Sequence, residues 1–221
     1  MEVLFVAAEN GAIKGGKVGG IGDVIRDLPP ALAAHGFRVT VVIPSHGYLH
    51  LGLDSTRIGA CRFLFRGELQ TADIFEVFPP NGSPGVTQLV IHHPTLSAVD
   101  ASSGTYHIYT QDPPDRPFFT DGSRFAFFSA AVVAAVSRKV IGSSTSFTCT
   151  TDTRLSWPCW DSFTRISRQF GTAAACLAST TWHSKACGRC GAVHRPWKPG
   201  FLDCTTIRPR WLTPVGPIAS T

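Results

Sequence analysis

Tryptophan is missing from the first 144 residues, which also hold only one cysteine, Cys61; all five tryptophans and the other six cysteines fall in residues 145–221. Seven cysteines form no closed set of pairs, so a disulfide framework is not expected. No apolar run approaches the roughly 20 uninterrupted residues that a bilayer requires, because charge, Gly or Pro breaks each one. A membrane partner is therefore not expected. The amino terminus, MEVLFVAAEN, has neither a basic segment ahead of its apolar run nor a small-residue cleavage site. It does not read as a secretory signal, and a cytoplasmic protein is expected. The front of the chain also lacks a basic excess. Residues 1–144 carry eleven Lys and Arg against twelve Asp and Glu, and the formal net charge of +5 comes from nine against three in residues 145–221. Basicity confined to one end is not the charged face of a nucleic-acid-binding domain.

The same break in composition divides the chain for interpretation into residues 1–140 and 141–221. Hydrophobic residues make up 43% of the whole, enough to fill a globular core. In the first region, VLFVAA (3–8) and VTVVIP (39–44) are short, continuous apolar runs rich in β-branched residues, as expected of parallel strands covered on both faces. Between them Val24, Ile25, Leu28, Ala31 and Leu32 recur at helical spacing. The spacing predicts a helix from Asp23 to His35, closed by Gly36 and bent or delayed by Pro29 and Pro30. Strand, glycine-rich loop, helix, strand is a βαβ unit of an α/β fold, whose ligands gather at the carboxyl ends of the strands. Further on, RFLFRGELQTADIFEVF and GVTQLVIHH read as more strands, the former as a hairpin arm, with PPNGSPG (79–85) as a turn. Phe125, Phe127, Phe128 and the alanines after them read as the buried face of a helix.

The loop between the first strand and the first helix, ENGAIKGGKVGGIGDV (9–24), has glycines at 15, 16, 19, 20 and 22 and a lysine at 17. Glycines let backbone come close to a ligand, and a helix amino terminus favours an anion. The pattern is neither a P-loop nor a clean G-x-G-x-x-G, so from spacing alone a flexible surface loop and a weak phosphate site both stand. His92 and His93, at a strand end, are either cleft-facing groups or ordinary strand-end polar residues.

The run Lys17-Val18-Gly19-Gly20-Ile21-Gly22-Asp23-Val24, with Glu9 before it and Leu28-Pro29 after it, resembles the Lys-x-Gly-Gly-Leu-x-Asp-Val signature of bacterial glycogen synthases and plant starch synthases. ALAAHGFRVTVVIPSHG is similar to that family's helix and second strand. DRPFFTDGSRFAFFSAAV (115–132) is similar to its Arg-Phe-x-x-Phe-Ser helix. The resemblance covers roughly residues 1–140. It implies the Rossmann-like N-terminal domain of a two-domain GT-B glycosyltransferase, here incomplete and followed by an irregular tail. It implies transfer of glucose from ADP-glucose to the non-reducing end of an α-1,4-glucan, with retention of configuration and without a metal or other cofactor. Carried over by position, Lys17 and the Gly19 and Gly20 backbone would contact the sugar nucleotide. Asp23 is the motif's acidic residue, with capping of the following helix as its structural alternative. Tyr106 and Tyr109 fall near the family's acceptor side without a match close enough to assign, and no catalytic residue is assigned. A different GT-B enzyme, using UDP-glucose for example, would share the loop.

After residue 137 the family's Asp-Val-Val-His-x-His-Asp-x-His and Ile-His-Asn-x-Ala-x-Gln-Gly segments are not found. If each codon's third base is read with the next codon's first two, TSFTCTTDTR (145–154) permits Val-x-His-(Leu/Val)-His-Asp-(Arg/Gly)-His-Ala. ASTTWHSKACGRC (178–190) then permits Ile-His-Asn-Leu-Ala-Phe-Gln-Gly. One shift recovers both segments in order, so residues 141–221 are read as out-of-frame or disordered, with the slip between Ser137 and Ser144. His183, Cys187, Cys190 and His194 form a possible zinc quartet, and HRPWKPGF with RPRW mimics a nucleic-acid tail. Neither has a supporting module around it, so no metal and no nucleic acid are expected, and a zinc- or nucleic-acid-binding protein is the remaining alternative.

Overall fold

The computed structural model describes residues 2–51, 54–100, 102–116, 118–142, 146–151 and 173–178, the last two segments as backbone strands. The elements run β1 (Glu2–Val6), α1 (Gly20–Ala34), β2 (Arg38–Pro44), β3 (Asp54–Phe65), β4 (Glu68–Phe78), β5 (Val86–His92), a 3-10 turn at Pro94–Leu96, α2 (Phe119–Ser137), β6 (Ser146–Thr151) and β7 (Ala173–Ala178). One mixed sheet has the order β3-β4-β5-β2-β1-β6-β7. The neighbours β5, β2, β1, β6 and β7 are parallel, and β3 and β4 are antiparallel additions beyond β5.

The continuous apolar runs have a direct cause. Side chains alternate across a strand, and here both faces are covered. Val3 and Phe5 of β1 join Val39, Val41 and Ile43 of β2 in a core shared with Ile25 of α1. Leu4 and Val6 join Val42, Leu89 and Ile91 in a second core with Phe125, Phe127, Phe128 and Val132 of α2. The phenylalanines expected to be a buried helix face are at most 1% exposed. At 19 residues α2 has the length and apolar composition of a bilayer span, but more than half of it is buried inside the protein.

Helix α1 begins three residues before the expected Asp23 and runs unbroken through Pro29 and Pro30. The expectation that the prolines delay the helix is corrected, since its start lies upstream of Asp23 and both prolines fall inside it. Pro29 is buried, and Ile25, Leu28 and Leu32 pack into the core on the β2 side, which offsets the two backbone hydrogen bonds that proline forgoes. Gly36 follows the helix with φ +85°, the left-handed position expected of it. RFLFRGELQTADIFEVF is a whole hairpin, and it turns at Arg66-Gly67. Both residues have positive φ, which suits a two-residue connection between twisted strands.

Truncating Phe128→Ala in this double-sided core should cost about 3–5 kcal/mol, whereas Leu69→Ala on the exposed hairpin should change stability by less than about 0.5 kcal/mol. Denaturant unfolding of the two variants checks the contrast.

Candidate functional site

The carboxyl ends of β1 and β2 meet at a hydrogen bond from the Ala7 amide to the Val42 carbonyl, 3.1 Å. Past this point the chain leaves the sheet, and Glu9 is the first residue with a charged group. It is nearly fully buried. Its Oε2 accepts hydrogen bonds from the amides of Val18 (2.8 Å) and Gly19 (2.7 Å), and its Oε1 accepts a short one from the Tyr109 hydroxyl. The loop is pinned at its base as well. The buried Asn10 donates to Gln88 Oε1 at 2.7 Å and accepts from the Ala12 amide. The Gly11 amide reaches the Gly22 carbonyl, and the Tyr48 hydroxyl donates to the Gly15 carbonyl. The loop is therefore a folded element with specified partners.

The residues singled out from sequence sit together at the start of α1. Lys17 Nζ lies 2.6 Å from Asp23 Oδ1, and Arg26 Nη1 is 2.8 Å from the same oxygen. The Lys17 hydrogen bond, with the charges of Lys17 and Arg26, holds the Asp23 carboxyl below the usual range. Asp23 does not cap the helix: the N-cap is Gly19, and no side chain bonds there. That alternative is corrected, because Asp23 falls four positions into the helix and turns towards the two cations. The Gly19 amide is taken by Glu9, while a side chain built at Gly20 would meet nothing within 4 Å, so Gly20 borders open space. Steric need for glycine lies at other positions. A Cβ on Gly11 would come within 2.7 Å of the Gly22 carbonyl oxygen, and one on Gly22 within 2.6 Å of the Lys17 side chain.

Tyr109 is aimed at Glu9 by a buried polar network that sequence reasoning missed. Asp121, fully buried at the start of α2, accepts the Thr110 amide with both oxygens and Arg124 Nη1 at 2.7 Å. Arg124 also donates to the carbonyls of Ile108 and Leu96 and to His46 Nδ1. A guanidinium only donates, so His46 Nδ1 must accept, its proton sits on Nε2, and Nε2 donates to the Ala8 carbonyl at 2.8 Å. Burial, reinforced by the Arg124 charge, holds His46 down at about 3, so the imidazole is neutral. The network thus ties the ends of β1 and β2, the 108–110 segment and α2 into one support.

His92 is a strand-end residue. Its Nδ1 is 3.0 Å from Ser45 Oγ and its ring is 4.2 Å from that of His50, while His93 stacks on Phe127. Among the described residues no group of three His, Cys, Asp or Glu side chains could hold a metal ion. The quartet His183, Cys187, Cys190 and His194 lies outside the described residues. A shallow depression of about 320 Å³, lined by Glu2, Arg38, Thr40, Gly85 and Thr87, lies at the amino ends of β1, β2 and β5, the far end of the sheet from the loop. Ligands of open α/β sheets bind at the carboxyl ends, so we attach no function to it.

A mixed sheet whose parallel strands carry a helix on each face, with a glycine-rich loop leading from the first strand into the first helix, defines a Rossmann-like α/β arrangement. Residues 2–146 match the family described as the starch synthase catalytic domain, and the chain belongs to that family. It is 31% identical over 144 residues to a glycogen synthase of Streptococcus gordonii, an alignment covering 62% of this chain and 25% of the relative. A glycogen synthase of Streptococcus pneumoniae is 30% identical over 142 residues, with the same coverage. The chain thus spans about a quarter of the length of these relatives. The fold is similar to the catalytic domain of starch synthase IV from Arabidopsis thaliana, whose structure is described as bound to ADP and acarbose. The TM-score is 0.59 and the identity 21%, over 80% of this chain and 33% of that one.

Two predictions concern these buried groups. Asp121→Ala leaves the Arg124 guanidinium buried and unpaired and should cost about 3–5 kcal/mol, measured by denaturant unfolding. His46 at about 3 and His50 at about 4 are both depressed from 6.5, chiefly by burial. The unfolded chain therefore binds more protons than the folded one between these values. This contribution to stability is complete above pH about 6.5 and is lost as the pH falls, the His50 share by about pH 4 and the His46 share by about pH 3. The thermal midpoint should drop steadily from pH 7 to pH 4.5, and a flat profile would contradict the assignment.

Proposed function

We propose that this chain forms one wall of the donor site of a glucosyltransferase, which moves glucose from ADP-glucose to the non-reducing end of an α-1,4-glucan with retention of configuration. The observation that carries the proposal is the preformed loop from Lys17 to Asp23 at the carboxyl edge of the sheet, in a chain of the starch synthase family. The Lys17 ammonium and the amides at the start of α1, led by Gly20, would face the diphosphate. They would stabilise the negative charge that grows on it as the glycosidic bond breaks. Asp23 would hold Lys17 in place until the diphosphate claims it. The site needs no metal in this reading, since fixed amides and an ammonium supply the countercharge. A cytoplasmic setting belongs to the same proposal.

The chain should bind ADP weakly in calorimetry, and Lys17→Ala should weaken that binding about tenfold, the worth of one charge-assisted hydrogen bond. Glucan elongation from ADP-glucose should be undetectable, because stabilising the diphosphate takes both walls of the cleft. Wild-type binding unchanged by Lys17→Ala, or measurable elongation by this chain, would overturn the proposal. Stronger competition by UDP-glucose than by ADP-glucose would move the assignment to a different GT-B enzyme.

We also infer that the family's text ends near residue 140, with residues 141–221 read from a displaced frame. In support, the family match stops at residue 146. A strand flanked on both sides by parallel neighbours ordinarily reads as an apolar run, yet β6 reads SFTCTT. The displaced frame would put His-x-His-Asp over residues 147–151, most of that strand. Resequencing the gene across codons 137–144 should reveal an inserted or deleted base, and an intact record would remove the inference.

A further inference from the structure

We propose that Glu9 is a positioning residue for the donor loop, substituting for the missing cap of α1, and that Tyr109 sets its orientation; this rests on the donor-site reading above. An ordinary cap would spend its oxygen on the second or third amide of the helix. Glu9 instead binds Val18 and Gly19, the two amides just before the first turn. Two consequences follow. The chain entering α1 is held against the end of β1, and the first-turn amides of Gly20, Ile21 and Gly22 are not consumed by any side-chain cap. The carboxylate also lies near the positive end of the helix, where its own charge is favoured.

The second oxygen explains why the arrangement is rigid. Oε1 accepts the Tyr109 hydroxyl, and Tyr109 lies between two clamped backbone groups: the Ile108 carbonyl takes Arg124, and the Thr110 amide gives to Asp121. With both oxygens committed, the carboxylate cannot rotate without breaking a bond. A Cβ on Gly22 would also approach Oε2 to 3.2 Å, so the loop is closed around this group.

Glutamine separates geometry from charge. Its oxygen can accept from Val18 and Gly19 while its NH2 donates to the Tyr109 oxygen, so Glu9→Gln keeps the arrangement and removes the charge. Glu9→Ala removes both. The test is amide hydrogen exchange at Val18 and Gly19, together with ADP titration, on the full chain. Glu9→Gln should keep both amides protected and ADP affinity within about threefold of wild type. Glu9→Ala should speed exchange at both amides and weaken ADP about tenfold or more. Tyr109→Phe should speed exchange at Val18 and Gly19 several-fold while leaving the rest of α1 protected. The proposal is overturned if Glu9→Ala leaves these amides protected, or if Glu9→Gln loses as much as Glu9→Ala. If Glu9→Ala does not fold, Tyr109→Phe and Glu9→Gln decide the question: unchanged exchange at Val18 and Gly19 in Tyr109→Phe, or loss of their protection in Glu9→Gln, overturns the proposal. If the wild type fails to bind ADP, the donor-site reading falls, and the exchange data still judge the role of Glu9.

Discussion

A carboxylate sunk just past the end of the first strand must either find donors for both oxygens or destabilise the fold that buries it. Glu9 finds three donors, two from the loop that follows it and one from a tyrosine a hundred residues away. The geometry of the carboxyl edge depends on that solution. The entry into α1, the placement of Lys17 beside Asp23, and the opening in front of Gly20 all lie downstream of where the Val18 and Gly19 amides are held.

The fold supplies the fixed points that this arrangement needs. Paired with β2, β1 carries Glu9 to the edge in a set register, and two apolar cores prevent the strand from shifting. On the other side, the Asp121–Arg124 pair would be costly to bury if it served only itself. It clamps Ile108 and Thr110 on either side of Tyr109 and reaches through His46 to the Ala8 carbonyl, so the residue before Glu9 and the backbone flanking Tyr109 are held by the same ion pair. The loop itself needs glycine where the backbone crowds its own neighbours, at Gly11 and Gly22, and leaves Gly20 facing empty space.

Several of these features were legible in the residues. The runs Val3–Ala8 and Val39–Pro44 declared themselves as covered strands because all positions but Thr40 are apolar, and Gly36 marked the helix end because the chain there needs a positive φ. The start of α1 was misplaced because Gly19, Gly20 and Gly22 are poor helix formers; the Glu9 carboxylate, which gathers the preceding amides, is invisible to local propensity. The two prolines suggested a delayed helix for a similar reason, since packing overrode what the backbone alone would do. Asp23 looked like a cap because acids favour helix starts, but its partners Lys17 and Arg26 are found only once the helix has wound. Lys17 and Asp23 were found through a resemblance in the motif. Nothing local marked His46, a single histidine in a short turn, or tied Arg124 to segments as distant as Ala8 and Leu96.

The central claim is that a loop set by Glu9 offers the amides at the start of α1 and the Lys17 ammonium to a diphosphate. Titrating ADP into the isotopically labelled chain and following each backbone amide tests it most directly. The account predicts shifts concentrated at Gly20, Ile21 and Gly22, with the Val18 and Gly19 amides still bonded to Glu9. Shifts gathered instead around Arg38 and Thr87 at the opposite end of the sheet, or none at millimolar ADP, would contradict it.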